Sequence, residues 1–166
     1  MAFQRDRISV LRGIKGALRH LHDLGLDKDE KRAQRVDVFE CINRTGATLM
    51  FKPMEKKLAR ERLGLSEKDK IVLFVGRMDP IKGLDILLYA MAMLEDKTGL
   101  RLLVVGGVLD SDTELKRLQQ MCVKLGIVEN VKFIGAVDHE NLPFFYNAAD
   151  LCAVPSYYES FGLVAV

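Results

Sequence analysis

The chain has 166 residues, 49% hydrophobic and 29% charged, enough apolar material for a folded domain and too much for a disordered chain. A net charge of +2 gives no case for a nucleic-acid partner, and no apolar run reaches the ~18 residues of a membrane span. Cys41, Cys122 and Cys152 are far apart, with no C-x-x-C, and the N-terminus lacks an apolar signal core. A reduced, cytoplasmic chain, at most peripheral to a membrane and without a metal site, is expected.

Residues 6–25 predict an amphipathic helix, with Ile8, Leu11, Ile14, Leu18 and Leu21 at three- and four-residue steps among Arg5, Arg7, Arg12, Lys15 and Arg19. This basic helix has three readings. It packs its apolar stripe on the core, pairs with a second chain, or lies on an anionic membrane surface through residues 5–22; packing is the default. The charged stretch Asp27–Arg35 reads as a loop or exposed helix, Val36–Ile42 as a strand, and Asn43–Gly46 as a turn. Glu55–Leu63 reads as a short helix ended by Gly64.

A βα rhythm follows. Strands are expected at Ile71–Val75, Arg101–Val105, Val131–Ile134 and Leu151–Val154. Between them, helices are expected at Leu84–Lys97, Thr113–Leu125 and Glu140–Ala148. Ser111 with Glu114 forms a capping box before the second of these helices, Gly126 closes it, and Asp138 is set to cap the third. Asp110-Ser111-Asp112 has the form of a metal-binding D-x-D, but its place before a capping box makes capping and loop solvation the better account. Near-continuous apolar strands alternating with helices predict an α/β, Rossmann-like, three-layer domain with a mostly parallel sheet.

The turn from Val75 to Gly83 carries the strongest functional signal. It leaves an apolar strand and opens an apolar helix, so Lys82 is expected at a helix N-terminus, where the dipole already places partial positive charge. Arg77 adds a second cation in the same turn. A bound anion resolves the conflict, which makes the turn a candidate phosphate site. In a doubly wound sheet of order 3-2-1-4, the strands starting at Ile71 and Leu151 are neighbours, and ligands bind at that switch point beyond their carboxyl ends. The turn and the segment Pro155–Gly162 then converge on one crevice.

Three stretches together carry a resemblance: G-R-x-x-x-x-K-G at 76–83, V-x-F-x-G at 131–135, and P-S-x-x-E-S-F-G at 155–162. With F-x-P at Phe51–Pro53, residues 49–166 resemble the nucleotide-binding C-terminal domain of family 4 (group 1) GT-B glycosyltransferases. The resemblance implies transfer of a sugar from a UDP-, GDP- or ADP-linked donor to an acceptor it does not name, with retention and without a metal. It assigns Arg77 and Lys82 to the donor diphosphate and Glu159 to the donor sugar. Gly76 belongs to the phosphate turn. Ile134, Gly135 and Val137 fall near the base, and Phe161, Gly162 and Leu163 bring backbone N–H groups to the phosphate.

The family's second glutamate, eight positions after Glu159, falls beyond Val166, and residues 1–48 do not resemble a family domain. The expectation is therefore half of a GT-B fold, incomplete at its C-terminal end and inactive as an isolated chain. The alternative is a non-catalytic, chimeric or truncated scaffold that keeps the nucleotide-binding motifs as relics. An edge left at Leu151–Val154 invites association, so either the Val36–Ile42 strand with the first helix covers it, or a second copy does, giving a homodimer.

Overall fold

The computed structural model describes residues 12–17, 19–21, 37–40 (backbone only), 53–107 and 113–156. Five strands form one sheet: β1 (Asp37–Glu40), β2 (Lys70–Val75), β3 (Leu100–Val105), β4 (Val131–Gly135) and β5 (Leu151–Val154), in the spatial order β1-β5-β2-β3-β4. β5, β2, β3 and β4 are mutually parallel, and β1 joins antiparallel on the outer edge of β5. Among the parallel strands this is the expected 3-2-1-4 order. β2 and β3 pair along their whole length, from Lys70 opposite Leu100 to Val75 opposite Val105.

Alternation along the strands feeds two cores. Val72, Phe74, Leu102, Val104, Leu151 and Ala153 point to one face, and Ile71, Leu73, Leu103 and Val105 to the other. The first face is covered by α2 (Leu84–Ala92) and α3 (Thr113–Leu125), which bury Leu87, Leu88, Leu118 and Cys122 there. The second face packs against α4 (Leu142–Ala148), through Phe145, and against Leu63 and Leu65 around the end of α1 (Lys56–Leu63). With both faces covered, the sheet is the middle of three layers. Burial pushes the Cys122 thiol up to about 11.

The described helical residues 12–17 and 19–21 support the packing reading of the basic N-terminal segment. Ile14, Ala17 and Leu21 are buried in the first core, and a Cβ on Gly13 would stand 2.6 Å from Leu94 Cδ2. Of the predicted apolar stripe, Ile14 and Leu21 pack in this core, while Ile8, Leu11 and Leu18 lie outside the described residues. The edge of β5 is likewise taken by β1, with Asp37 opposite Val154 and Glu40 opposite Leu151, where a second copy was the other expectation. No helix among the described residues is long and apolar enough to cross a membrane.

Some boundaries differ from expectation. α2 stops at Ala92 rather than Lys97; the chain beyond it turns toward Gly99, where Asp96 accepts the Thr98 N–H (2.9 Å). A 3-10 turn, His139–Asn141, precedes α4, whose first turn holds Pro143. Asp138 sits at the expected cap position, but its side chain makes no capping bond; its carbonyl accepts the Asn141 N–H instead (2.9 Å). Ser111, Asp110 and Asp112 lie outside the described residues.

Candidate functional site

β2, β3 and β4 are each followed or ended by a glycine at the carboxyl end of the sheet: Gly76, Gly106 and Gly135. Pairing continues through them. The Gly76 N–H donates to the Val105 carbonyl (2.9 Å), and the Gly106 N–H donates to the Gly135 carbonyl (2.7 Å). The backbones meet so closely that a Cβ on Gly106 would stand 2.1 Å from the Gly76 carbonyl oxygen.

From Gly76 the chain runs into a compact turn. The Asp79 side chain accepts the Ile81 N–H (3.0 Å) and caps the 3-10 turn Pro80–Lys82. The Lys82 N–H closes on the Asp79 carbonyl (2.8 Å), and the Gly83 N–H on the Pro80 carbonyl (3.0 Å). Gly83, at φ 67°, then starts α2. Met78 points inward, 8% exposed, and anchors the turn in the first core. Its neighbour Arg77 points outward with its side chain 81% exposed, 3.7 Å from the Asp79 carboxylate. Lys82 folds back across the turn, with its Cγ 4.0 Å from where a Gly76 Cβ would stand. Gly76, Arg77 and Lys82 therefore belong to one small structure.

Lys82 ends the 3-10 turn instead of opening α2, and α2 already has an acid, Asp85, in its first turn. Asp85 is in turn 3.8 Å from Arg117, which Glu114 holds at 2.6 and 2.8 Å. The α2 dipole is thus met by Asp85, and the anion-attracting groups of this site are the side chains of Arg77 and Lys82.

Gly135 lies at the same end of the sheet, two strands from Gly76. Ile134 and Val137 flank it and pack, partly buried, on the second core. β5 lies directly beside β2, and the described chain continues from it through Pro155 and Ser156. Glu159, Phe161, Gly162 and Leu163 lie outside the described residues. Sequence reasoning missed Gly106 and Gly107, although Val-Val-Gly-Gly after an apolar strand echoes the Val-Gly after β2.

It also missed the buried ion pair at the opposite end of the sheet. Arg60, 1% exposed, donates to the Asp150 carboxylate (2.8 Å) and to the carbonyls of Ala148 (2.9 Å), Glu67 (2.8 Å) and Ser66 (3.3 Å). Asp150 also accepts from Lys56 (3.0 Å) and from the Ile71 N–H (2.7 Å). The only trace in the sequence is an acid directly before an apolar strand.

Comparison with known proteins fixes the family. Residues 55–166 match the family model for group 1 glycosyl transferases. The chain is a member of the group 1 glycosyltransferase family. It is 47% identical over 118 residues to D-inositol 3-phosphate glycosyltransferase of Segniliparus rotundus, covering 70% of this chain and 26% of that protein. A second such enzyme, from Catenulispora acidiphila, is 43% identical over 122 residues, covering 70% and 29%. The group 1 chain thus spans between a quarter and a third of the length of these relatives.

Solved structures agree on the fold. Sucrose-phosphate synthase of Thermosynechococcus elongatus superposes with a TM-score of 0.62 at 39% identity, covering 70% of this chain and 29% of that one. WaaG, a glycosyltransferase involved in lipopolysaccharide biosynthesis, gives 0.58 at 28% identity, covering 66% and 28%. HepE of Anabaena, solved in complex with UDP, gives 0.55 at 28% identity, covering 68% and 33%. The Rossmann-like sheet of the group 1 chain is consistent with half of a GT-B fold.

Proposed function

We propose that the carboxyl ends of β2, β3 and β4 bind the diphosphate and base of a nucleotide-sugar donor, and that the chain is the donor half of a retaining glycosyltransferase. The observation that carries this reading is the turn after β2. It puts two cations, Arg77 and Lys82, beside Gly76 at the carboxyl end of a parallel strand, next to the strand-order reversal. UDP is the first candidate because HepE, a structural relative at 28% identity, was solved with it.

In this reading Arg77 and Lys82 hold the donor diphosphate. As the glycosyl bond breaks, negative charge grows on the departing diphosphate, and the two cations lower that barrier. Arg77 leaves its weak contact with Asp79 to do so; at 81% exposure it loses little. The strand end at Ile134–Val137 borders the base. Glu159 contacts the donor sugar, and the backbone around Phe161, Gly162 and Leu163 adds to the phosphate contacts. No metal is required, because the cations are supplied by the chain. The acceptor is met elsewhere in a larger enzyme, so the isolated chain binds donor without transferring sugar.

Calorimetric titration with UDP, GDP and ADP, beside the Arg77→Ala/Lys82→Ala double variant, tests the proposal. The expected result is binding of one nucleotide, weakened about 100-fold in the variant, since charge-assisted bonds contribute roughly 1.5–3 kcal/mol each before losses. Equal binding by a folded variant would refute the assignment of the cations. No binding of any nucleotide by the folded parent would favour the non-catalytic scaffold.

A further inference from the structure

We propose that Gly106 and Gly107 are positioning residues of the phosphate turn: the turn carrying Arg77 and Lys82 keeps its shape only while both positions lack a side chain. This inference rests on the donor-binding reading for its meaning, but its structural basis is independent. A Cβ on Gly106 would stand 2.1 Å from the Gly76 carbonyl oxygen and 2.9 Å from the carbonyl carbon. Both are backbone atoms and cannot rotate away. The first residue of the phosphate turn would have to move, and Lys82 lies across that residue.

Gly107 acts one step further along. A Cβ there would meet Met78 Cγ at 2.4 Å and Cε at 3.2 Å. Met78 is the inward anchor between Arg77 and Asp79. Here the obstacle is a side chain that can re-pack, so the turn is disturbed less. Both glycines also have positive φ, 118° and 76°, where any side chain is strained. That strain alone would affect stability wherever it occurred; the contacts with Gly76 and Met78 direct it into the site.

Gly106 has a second tie. Its N–H donates to Gly135 (2.7 Å), the residue between Ile134 and the loop to Val137. One glycine thus touches the phosphate turn with its Cα side and the base-side loop with its N–H. The spacing between cations and base is set across this contact.

Hydrogen exchange on the full chain tests this without any ligand. In Gly106→Ala, amides of Gly76–Gly83 are expected to exchange at least about tenfold faster, while those of Ile71 and Leu102 keep their protection, because only the carboxyl ends separate. Gly126→Ala is the control: its φ is also positive (66°), nothing lies within 4 Å of its added Cβ, and it follows α3 far from the turn. It should leave the turn unchanged. UDP titration adds the functional arm. Gly106→Ala should bind about tenfold or more weakly and Gly107→Ala less so, with no further loss when Gly106→Ala is added to Arg77→Ala/Lys82→Ala. Unchanged exchange at Gly76–Gly83, or losses that add fully to those of the cation variant, would overturn the proposal. Absence of UDP binding in the parent would instead count against the donor-site reading, and the exchange result would still decide the role of Gly106.

Discussion

Among the described residues, Arg60 is one of the largest fully buried side chains, and it is a charged one. Its guanidinium is held by the Asp150 carboxylate and three backbone carbonyls, while Asp150 also accepts the first N–H inside the buried run of β2. The pair ties α1, the α4–β5 corner and the start of β2 together. Breaking such a pair from one side leaves a desolvated charge without its partner. Asp150→Ala should therefore cost about 3–5 kcal/mol, read from urea unfolding. A loss below about 1 kcal/mol would show that the pair is solvated. None of this was legible in the sequence, because the partners lie 90 positions apart and neither belongs to a motif. The turn carrying Arg77 and Lys82 was legible as a candidate only together with the motifs at 131–135 and 155–162, because the glycine, arginine and lysine spacing alone also fits solvated surface charges. Gly106 was not, because its role is a contact between two backbones across strands.

At the level of elements, the parallel strands were the easiest to read. β2, β3 and β5 are buried on both faces, so their sequences are nearly unbroken apolar runs, while the edge strand β4 is only partly buried. Helix ends were harder: α2 stops at Ala92 although the apolar run continues through Met93 and Leu94. The segment before Leu49 shows how an element can belong to the sheet without resembling the family. β1 lies antiparallel on β5, and Ile14, Ala17 and Leu21 enter the same core as Leu151 and Ala153. Together they cover an apolar edge that would otherwise pair with another chain. Removing residues 1–48 should accordingly produce a less stable protein that self-associates, seen by sedimentation as a concentration-dependent rise in mass. A shortened chain that stayed monomeric and equally stable would contradict this role.

Among the described residues, the proposed donor site and the buried ion pair sit at opposite ends of one sheet. The amino ends of β2 and β5 are clamped by Arg60 and Asp150, and the carboxyl ends of β2, β3 and β4 are joined through Gly76, Gly106 and Gly135. A clamped base, with a tightly bonded turn after β2 at the other end, suits a site that must hold a charged ligand in one place. The strand order could be anticipated, because topology follows from alternating βα units. The precise fit of the loops could not. The most direct test of the account is to follow backbone amide resonances of the full chain during titration with UDP. The account predicts shifts concentrated at Gly76–Gly83, Gly106, Gly107 and Gly135–Val137, with Ile71, Leu100 and Asp150 unmoved. Shifts centred at the Arg60–Asp150 end, or none in the Gly76–Gly83 turn while UDP binds, would contradict it.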